Sequence, residues 1–455
     1  MFQRLLVANR GEVAVRIARA ARDLGIAPIG VASEADLAAS WTKAFDEVVC
    51  IGPPPPSESY LRMERIVQAA LQTHASAIHP GWGFLAENAR FARLVRQHGI
   101  AFVGPSAGAI ELMGAKSPAK RAMKAAGLPV IPGSDRTLAN ADAAAACAKE
   151  IGYPVLLKAD AGGGGRGMRR CAHEKELREA FAAASAEAEK AFGDGALYLE
   201  RYFTGGRHVE VQVLCDAHGH GVHLFERECS VQRKHQKLLE ESPSPVLSAA
   251  ERGALGERAL AAALAVGYEN AGTLEFLRAP DGKLYFMEMN TRLQVEHPVT
   301  EATTGVDIAR AQIEIAAGQP LALRQADMRA HGHAIECRIN AEDPNQGFRP
   351  SPGLVRAFAI PSDRGPGSIR IDTHLAAGDR VPPHYDSLLA KVIAHAPTRE
   401  QAIETMQRAL SAAKIEGVAT TIPLHLAVLA DEGFRRGEYD TSTIPGFAVP
   451  AGAQT

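Results

Sequence analysis

Apolar and polar positions alternate along the first hundred residues in two rhythms. Leu5-Leu6-Val7-Ala8 is an unbroken apolar run, as expected of a strand buried on both faces. From Glu12 to Leu24 the residues Ala14, Ile17, Ala18, Ala21 and Leu24 share one helical face, and Gly25 supplies the stop. Ile29–Ser33, Glu47–Cys50 and Ala77–Pro80 are further short strands with helices between them. Alternating strand and helix predict an α/β fold with a parallel, doubly wound sheet. Pro53–Pro56 break the pattern as a rigid surface loop.

The rhythm changes near Met113. A helix is expected around Asn140–Glu150, a strand over Tyr153–Lys158, a helix over Lys175–Phe192, and strands over Leu197–Glu200 and His208–Val213. These strands are antiparallel candidates, so the middle of the chain reads as α+β. Past His331, strands are expected at Ala334–Ile339, Leu354–Ile360 and Ser368–Thr373, then helices at Arg399–Ala413 and Leu424–Asp431.

Composition narrows the class. The chain has 455 residues, 46% of them hydrophobic and 22% charged, as in an ordinary globular enzyme. No apolar run approaches the ~18 to 20 residues of a membrane helix, and the N-terminus lacks the features of a signal peptide. A cytoplasmic protein is expected. A net charge of −2 offers no basic surface to nucleic acid. Six cysteines without a CxxC pair argue against structural zinc or disulfides and for reduced, mostly buried thiols.

The chemistry-bearing segments begin at Ala161-Gly162-Gly163-Gly164-Gly165-Arg166-Gly167-Met168, between a strand ending in Lys158 and the short strand Arg169–Cys171. Consecutive glycines let backbone N–H groups approach phosphate oxygens. No Gly-Lys-Ser/Thr follows, and a strand rather than a helix comes next, which excludes the Walker and dinucleotide fingerprints. A hairpin flap over phosphates remains, with Lys158 at its base.

A second hairpin joins Thr273–Arg278 to Leu284–Asn290 through Ala279-Pro280-Asp281-Gly282-Lys283. With Asp281-Gly282 at the centre of the turn, Glu275 lies opposite Glu288 and Thr273 opposite Asn290. Two close carboxylates require a cation or a proton between them, and oxygen ligands suit Mg²⁺. The competing reading pairs one glutamate with a basic side chain. Beyond the hairpin, Asn290, Arg292, Gln294 and Glu296 alternate with Leu293 and Val295, as on a continuing strand. Fully extended, it would set Glu288 and Glu296 roughly 26 Å apart, so the segment must bend for both to meet one small substrate. Arg292 offers a fork for a carboxylate, bicarbonate or phosphate, and Glu296 is the best general-base candidate.

At this point the residues match a family. The chain resembles the biotin carboxylases of the ATP-grasp superfamily over nearly its whole length. The resemblance rests on Val7–Glu12, His79-Pro80-Gly81, Gly83-Phe84-Leu85, Met113–Lys116, the glycine flap, Arg207–Glu210, Cys229–Lys237, Glu288–Glu301, Arg338–Pro344 and Tyr385-Asp386-Ser387. With the changes of rhythm near Met113 and again near His331, the resemblance sets the expected division: an N-terminal Rossmann-like domain over residues 1–112 and a central domain over 113–325 with a lid near 131–203. A mixed α/β domain over 326–447 and a tail over 448–455 complete it. The resemblance implies ATP-dependent carboxylation of biotin on a carrier protein, with bicarbonate activated as carboxyphosphate. Lys116, Lys158, Gly164, Gly165, His208, Gln232 and His235 would hold ATP, and Glu200 with the backbone up to Phe203 would read adenine. Glu275, Glu288 and Asn290 would bind Mg²⁺, with a second ion expected and Mn²⁺ an acceptable substitute. Lys237, Arg292, Gln294 and Val295 would clamp bicarbonate. Glu296 would be the base, and Arg338 would stabilise the biotin enolate.

Three departures stand out. Trp82 replaces the family's usual Tyr in the biotin pocket, keeping a stacking face without the phenolic hydroxyl. Arg201–Gly206 differ around the adenine loop, and Ala115 replaces a polar residue beside Lys116. The chain shows no Met-Lys-Met biotinylation site and no carboxyltransferase domain. The resemblance therefore implies a homodimeric subunit that works with a biotinylated carrier and a separate carboxyltransferase subunit, as in the acetyl-CoA carboxylase of fatty acid biosynthesis. The motifs are silent on whether the final acceptor is acetyl-CoA, another acyl-CoA, pyruvate or urea. The rivals are another ATP-grasp ligase and a non-catalytic nucleotide-binding subunit. The Arg292–Glu296 run and Arg338 argue against the first, and the full set with Lys237 against the second.

Overall fold

Leu5, Leu6 and Val7 have no exposed surface because their strand, Arg4–Val7, is paired on both edges and packs an apolar cluster on each face. The computed structural model describes residues 1–160, 168–362 and 366–448, and within it this strand is the centre of a five-stranded parallel sheet. Its order is Glu47–Cys50, Ala27–Ala32, Arg4–Val7, Ala77–His79, Ala101–Phe102. The chain reverses winding direction between Arg4–Val7 and Ala77–His79, which opens a crevice at their carboxyl ends. Asn9 closes the crevice floor by donating to the carbonyls of Pro80 and Trp82, both at 2.7 Å. Gly81 has φ +67°, and a Cβ there would meet Asn9 Nδ2 at 2.8 Å, so glycine is required for Trp82 to reach the crevice.

The second sheet has eight antiparallel strands, in the order Leu284–Asn290, Asn270–Arg278, Arg207–Cys215, Gly221–Arg233, Gln236–Ser242, His333–Asn340, Leu388–Ala396, Ser368–Thr373. It runs without a break from the middle of the chain into its C-terminal third. The helix His297–Thr304 packs across its centre, against Gly221–Arg233, Gln236–Ser242, His333–Asn340 and Leu388–Ala396. A third, three-stranded sheet pairs Val155–Ala159 with Arg169–Cys171 and Leu197–Arg201. Helices Ala141–Ile151 and Glu174–Phe192 cover it and share a separate small core around Val155, Leu157 and Leu177. Of the glycine flap Ala161–Met168, residues 161–167 lie outside the described residues.

Several expectations need correction. Leu354–Ile360 is not one strand. Gly353–Leu354 pairs with Arg380–Val381, and Ala357–Ala359 pairs with Lys414–Glu416. The chain changes partner in between, where Val355 N–H donates to Asp379 and Arg356 N–H to Glu416. The strand ending at Asn290 does not continue to Pro298. Thr291–Glu296 turn, and a helix begins at His297, with Glu296 as N-cap and Pro298 in the first turn, where its missing N–H costs nothing. Gly221–Arg233 and Gln236–Ser242 are central strands that hydrophobic patterning does not pick out. Among the described residues no helix is long and apolar enough to cross a membrane. The six cysteines are free, four of them buried, with Cys147 partly covered and Cys50 exposed.

Candidate active site

The carboxylate hairpin has the expected pairing, reached by a different route. Glu275 faces Glu288 and Thr273 faces Asn290, but next to the turn Phe276 faces Phe286 and Arg278 faces Leu284. The turn is built on Pro280-Asp281, because Gly282 N–H bonds to Ala279 O and Ala279 N–H to Lys283 O. Asp281-Gly282 is therefore not its centre. This five-residue connection sets an odd register, and a bulge at Met287 restores the even one.

Glu275 sits on the floor of a cavity of about 1180 Å³. Every residue given a site role lines this cavity, apart from Gly164 and Gly165, which lie outside the described residues. At its centre Lys237 Nζ donates to Glu275 at 2.8 Å, to Glu296 at 2.6 Å and to Glu210. The other oxygen of Glu296 accepts from Arg338 at 2.9 Å, so each carboxylate oxygen of Glu296 holds its own cation. Burial opposes ionisation of Glu296, but Lys237 and then Arg338 and Arg227 outweigh it and hold the carboxyl well below the usual range. Lys237 is pushed the other way: burial lowers it, and Glu210, Glu275 and Glu296 carry it well above an ordinary lysine. His208 Nε2 stands 3.2 Å from Glu275. Burial depresses this imidazole, yet Glu275 raises it above the usual histidine value.

The opposite end is cationic. Lys158 and Lys120 clamp the buried Glu200 carboxylate at 2.7 and 2.8 Å and bring it down to about 2 against the effect of burial. Glu200 thus fixes Lys158 at the cavity wall, with Lys120 behind it. Lys116 reaches Glu288 at 3.6 Å. His235 lies on the tight turn after Gly221–Arg233, and its pKa is lowered by burial, then by Lys158, His208 and Lys116. That local positive potential suits a polyanion. Gln232 precedes the turn, and Phe203 stacks on Tyr285 with centroids 5.4 Å apart.

Arg292 is fixed by Glu87 at 2.9 Å, Gln294 at 3.0 Å and Asn290 at 3.1 Å, which leaves its planar group along the cavity wall. Trp82 Nε1 donates to the buried Glu12 at 3.3 Å. Lys391, without exposure, lies 3.1 Å from Glu12 and donates to the Val295 carbonyl at 3.0 Å. The tryptophan wall and the Val295–Glu296 turn are thus joined through two buried charges.

Each hairpin glutamate pairs with a basic side chain, Glu275 with Lys237 and Glu288 with Lys116. The set still fits Mg²⁺: Glu288 is 40% exposed towards the cavity, and Asn290 donates to Glu275 at 2.8 Å across the hairpin. Three oxygen-bearing side chains on paired strands, open to a phosphate-sized space, are the donors a magnesium ion takes. Glu210, by contrast, is consumed by Arg227 and Lys237, so its cluster with His208 and Glu275 is a salt-bridge network.

Glu210, Arg227, Lys120, Glu87, Lys391 and Glu12 support the site without a role predicted for them, although Glu12 and Glu210 fall in stretches that carry the resemblance. For Glu210 a signal existed, since His208, Glu210 and Gln212 alternate along one strand face. Three family models match the chain: "Biotin carboxylase, N-terminal domain" over residues 1–110, "Carbamoyl-phosphate synthase L chain, ATP binding domain" over 115–324, and "Biotin carboxylase C-terminal domain" over 336–446. Biotin carboxylase 1 of Bacillus subtilis is 50% identical over 450 residues, covering 99% of both chains. The chain belongs to the biotin carboxylase family. It is accordingly an ATP-dependent carboxylating enzyme of the ATP-grasp type. The Campylobacter jejuni biotin carboxylase, solved as a β,γ-ATP complex, superposes with a TM-score of 0.94 at 47% identity, covering 97% of this chain and 98% of that one. The biotin carboxylase domain dimer of Hydrogenobacter thermophilus 2-oxoglutarate carboxylase, solved with MgADP, ADP and bicarbonate, gives 0.93 at 50% identity, covering 97% and 96%. The biotin carboxylase relatives include subunits named as parts of pyruvate and 2-oxoglutarate carboxylases.

Proposed function

We propose that this chain uses MgATP and bicarbonate to carboxylate biotin on a carrier protein, and that the residues above divide the work. The observation that carries the reading is Glu296 held between Lys237 and Arg338, with Arg292 beside it, at one end of a cavity whose other end is lined by lysines. Lys116, Lys158 and His235, with Gln232 and the glycine flap, hold the phosphates, and Phe203 with the backbone from Glu200 flanks the base. Glu275, Glu288 and Asn290 hold Mg²⁺, which neutralises phosphate charge when bound.

Bicarbonate enters between Lys237 and Arg292, with Gln294 and the Val295 backbone alongside. It then shares the cations that depress Glu296, which raises the proton affinity of that carboxylate as the substrate arrives. Glu296 takes the bicarbonate proton, and the oxygen so exposed attacks the terminal phosphate, giving carboxyphosphate and ADP. Carboxyphosphate breaks to CO₂ and phosphate, and the phosphate removes the biotin ureido proton. Arg338 stabilises the enolate oxygen, and Trp82 supplies the stacking wall. The biotinylated carrier and a carboxyltransferase act in trans, and the enzyme is a homodimer in the cytoplasm.

ADP release should rise when bicarbonate is added and again with free biotin; no response to either overturns the reading. Arg338→Ala should lose the biotin response by roughly 10²-fold, the scale for one oxyanion-stabilising donor, with nucleotide affinity near normal. Full biotin stimulation in that variant would remove Arg338 from the mechanism.

A further inference from the structure

Behind Arg338 lies a second pair of carboxylates with no role in the reaction above. Glu240 and Glu336 are directly opposite on adjacent antiparallel strands, and neither has any exposed surface. Glu240 accepts from Arg338 Nε at 2.6 Å through one oxygen. Among the described residues its other oxygen has no partner, and neither does either oxygen of Glu336. Directly opposed residues place their Cβ atoms about 5 Å apart, close enough for the carboxyls to touch.

A second cation, Lys391, reaches Glu336 with its charge, but among the described residues its ammonium is bonded elsewhere. On the far side Glu336 faces Ile393 of the strand Leu388–Ala396, and Val299 of the covering helix packs with Ile393 and Ala334. The charged and titratable groups nearby are Glu240, Arg338, Lys391, Lys237, Glu296, Cys337 and His297, and Lys237 is taken up by Glu210, Glu275 and Glu296. Arg338 is shared by Glu240 and Glu296. Lys391 serves Glu12 and the Val295 carbonyl, and His297 bonds to the Gln294 carbonyl. Two buried carboxylates that face each other, with Arg338 bonded to one of them and no cation bonded to the other among the described residues, favour a state in which one keeps its proton.

We propose that Glu240 and Glu336 hold one proton between them, and that the neutral Glu336 carboxyl, donating to the free oxygen of Glu240, positions Arg338. The arrangement leaves a single negative charge under the guanidinium, with its acceptor oxygen directed by a donor from below. Burial raises both groups, Glu240 to about 7 and Glu336 well above a normal glutamate, in keeping with a retained proton. Glu336 touches no substrate. It acts through Arg338, so the inference rests on the biotin role given to that residue above.

Infrared difference spectra at pH 8 test the proton directly. Wild type minus Glu336→Gln should show the carbonyl band of one protonated carboxylic acid, and no such band overturns the proposal whatever the enzyme's activity. Glu336→Gln keeps a neutral donor and should retain biotin-stimulated turnover within about twofold. Glu336→Leu leaves the Glu240 oxygen unsatisfied and should lower that turnover about tenfold, the loss expected for one buried acceptor without a partner, with the KM for ATP unchanged. If the leucine variant matches the glutamine variant, the positioning role is wrong. If the leucine variant does not fold, the infrared band still decides the protonation. Wild-type enzyme without any biotin response would instead indict the functional assignment.

Discussion

Replacing Glu296 with Gln should lower bicarbonate-dependent ATP cleavage by about 10²- to 10⁴-fold, the range for removing a positioned general base. The amide keeps the shape and one acceptor oxygen for Lys237 or Arg338, but it cannot receive a proton. Its NH₂ also turns a donor towards the second cation, where the wild-type carboxylate offers an acceptor. The KM for ATP should change little, because the lysines that hold phosphate lie at the other end of the cavity. Because the carboxyl of Glu296 is held well below its usual range, wild-type activity should show no loss from its protonation as pH falls from 8 to 6. A glutamine variant within threefold of wild type would assign proton removal to another group.

How far these roles were legible in the sequence varied with the physics. The opposition of Glu275 and Glu288 was legible from period-two alternation, although the turn and the bulge at Met287 each shift the register by one and cancel. Alternation along the short polar stretch Asn290–Glu296 fits a turn as well as a strand, and Pro298 sits comfortably in a first helical turn. Gly221–Ser242 carries no apolar pattern because both of its faces are buried and bear Arg227 and Glu240 on one side and Glu228 on the other, polar residues that look solvated until their partners are known. The link from Trp82 through Glu12 and Lys391 to Val295 joins three distant parts of the chain, and no local pattern encodes it. The family resemblance supplied the residue types at these positions. The geometry added what each one is bonded to.

Replacing Lys237 with Met should destabilise the enzyme by about 3–5 kcal/mol, the cost of removing one partner from a buried charge cluster, and abolish bicarbonate-dependent turnover. The methionine fills the lysine stem and supplies no charge. Glu210 keeps Arg227 and Glu296 keeps Arg338, but Glu275 is left with His208 and Asn290 alone. The pH dependence separates this electrostatic cost from a packing defect. Glu275 and Glu296 have depressed values in the folded protein, so their stabilisation is complete above the unfolded value of about 4.3 and is lost as pH falls through the folded values. Lys237 is raised, so its contribution is complete below the unfolded value of about 10.4 and fades only above that. The difference between wild type and variant should therefore be flat from pH 7 to 9 and narrow as pH falls towards about 4.3, where the variant's orphaned carboxylates take up protons. Added salt should not close it, since the cluster is buried from mobile ions. Urea midpoints across that pH range give the measurement, and a gap constant down to acid would assign the loss to packing.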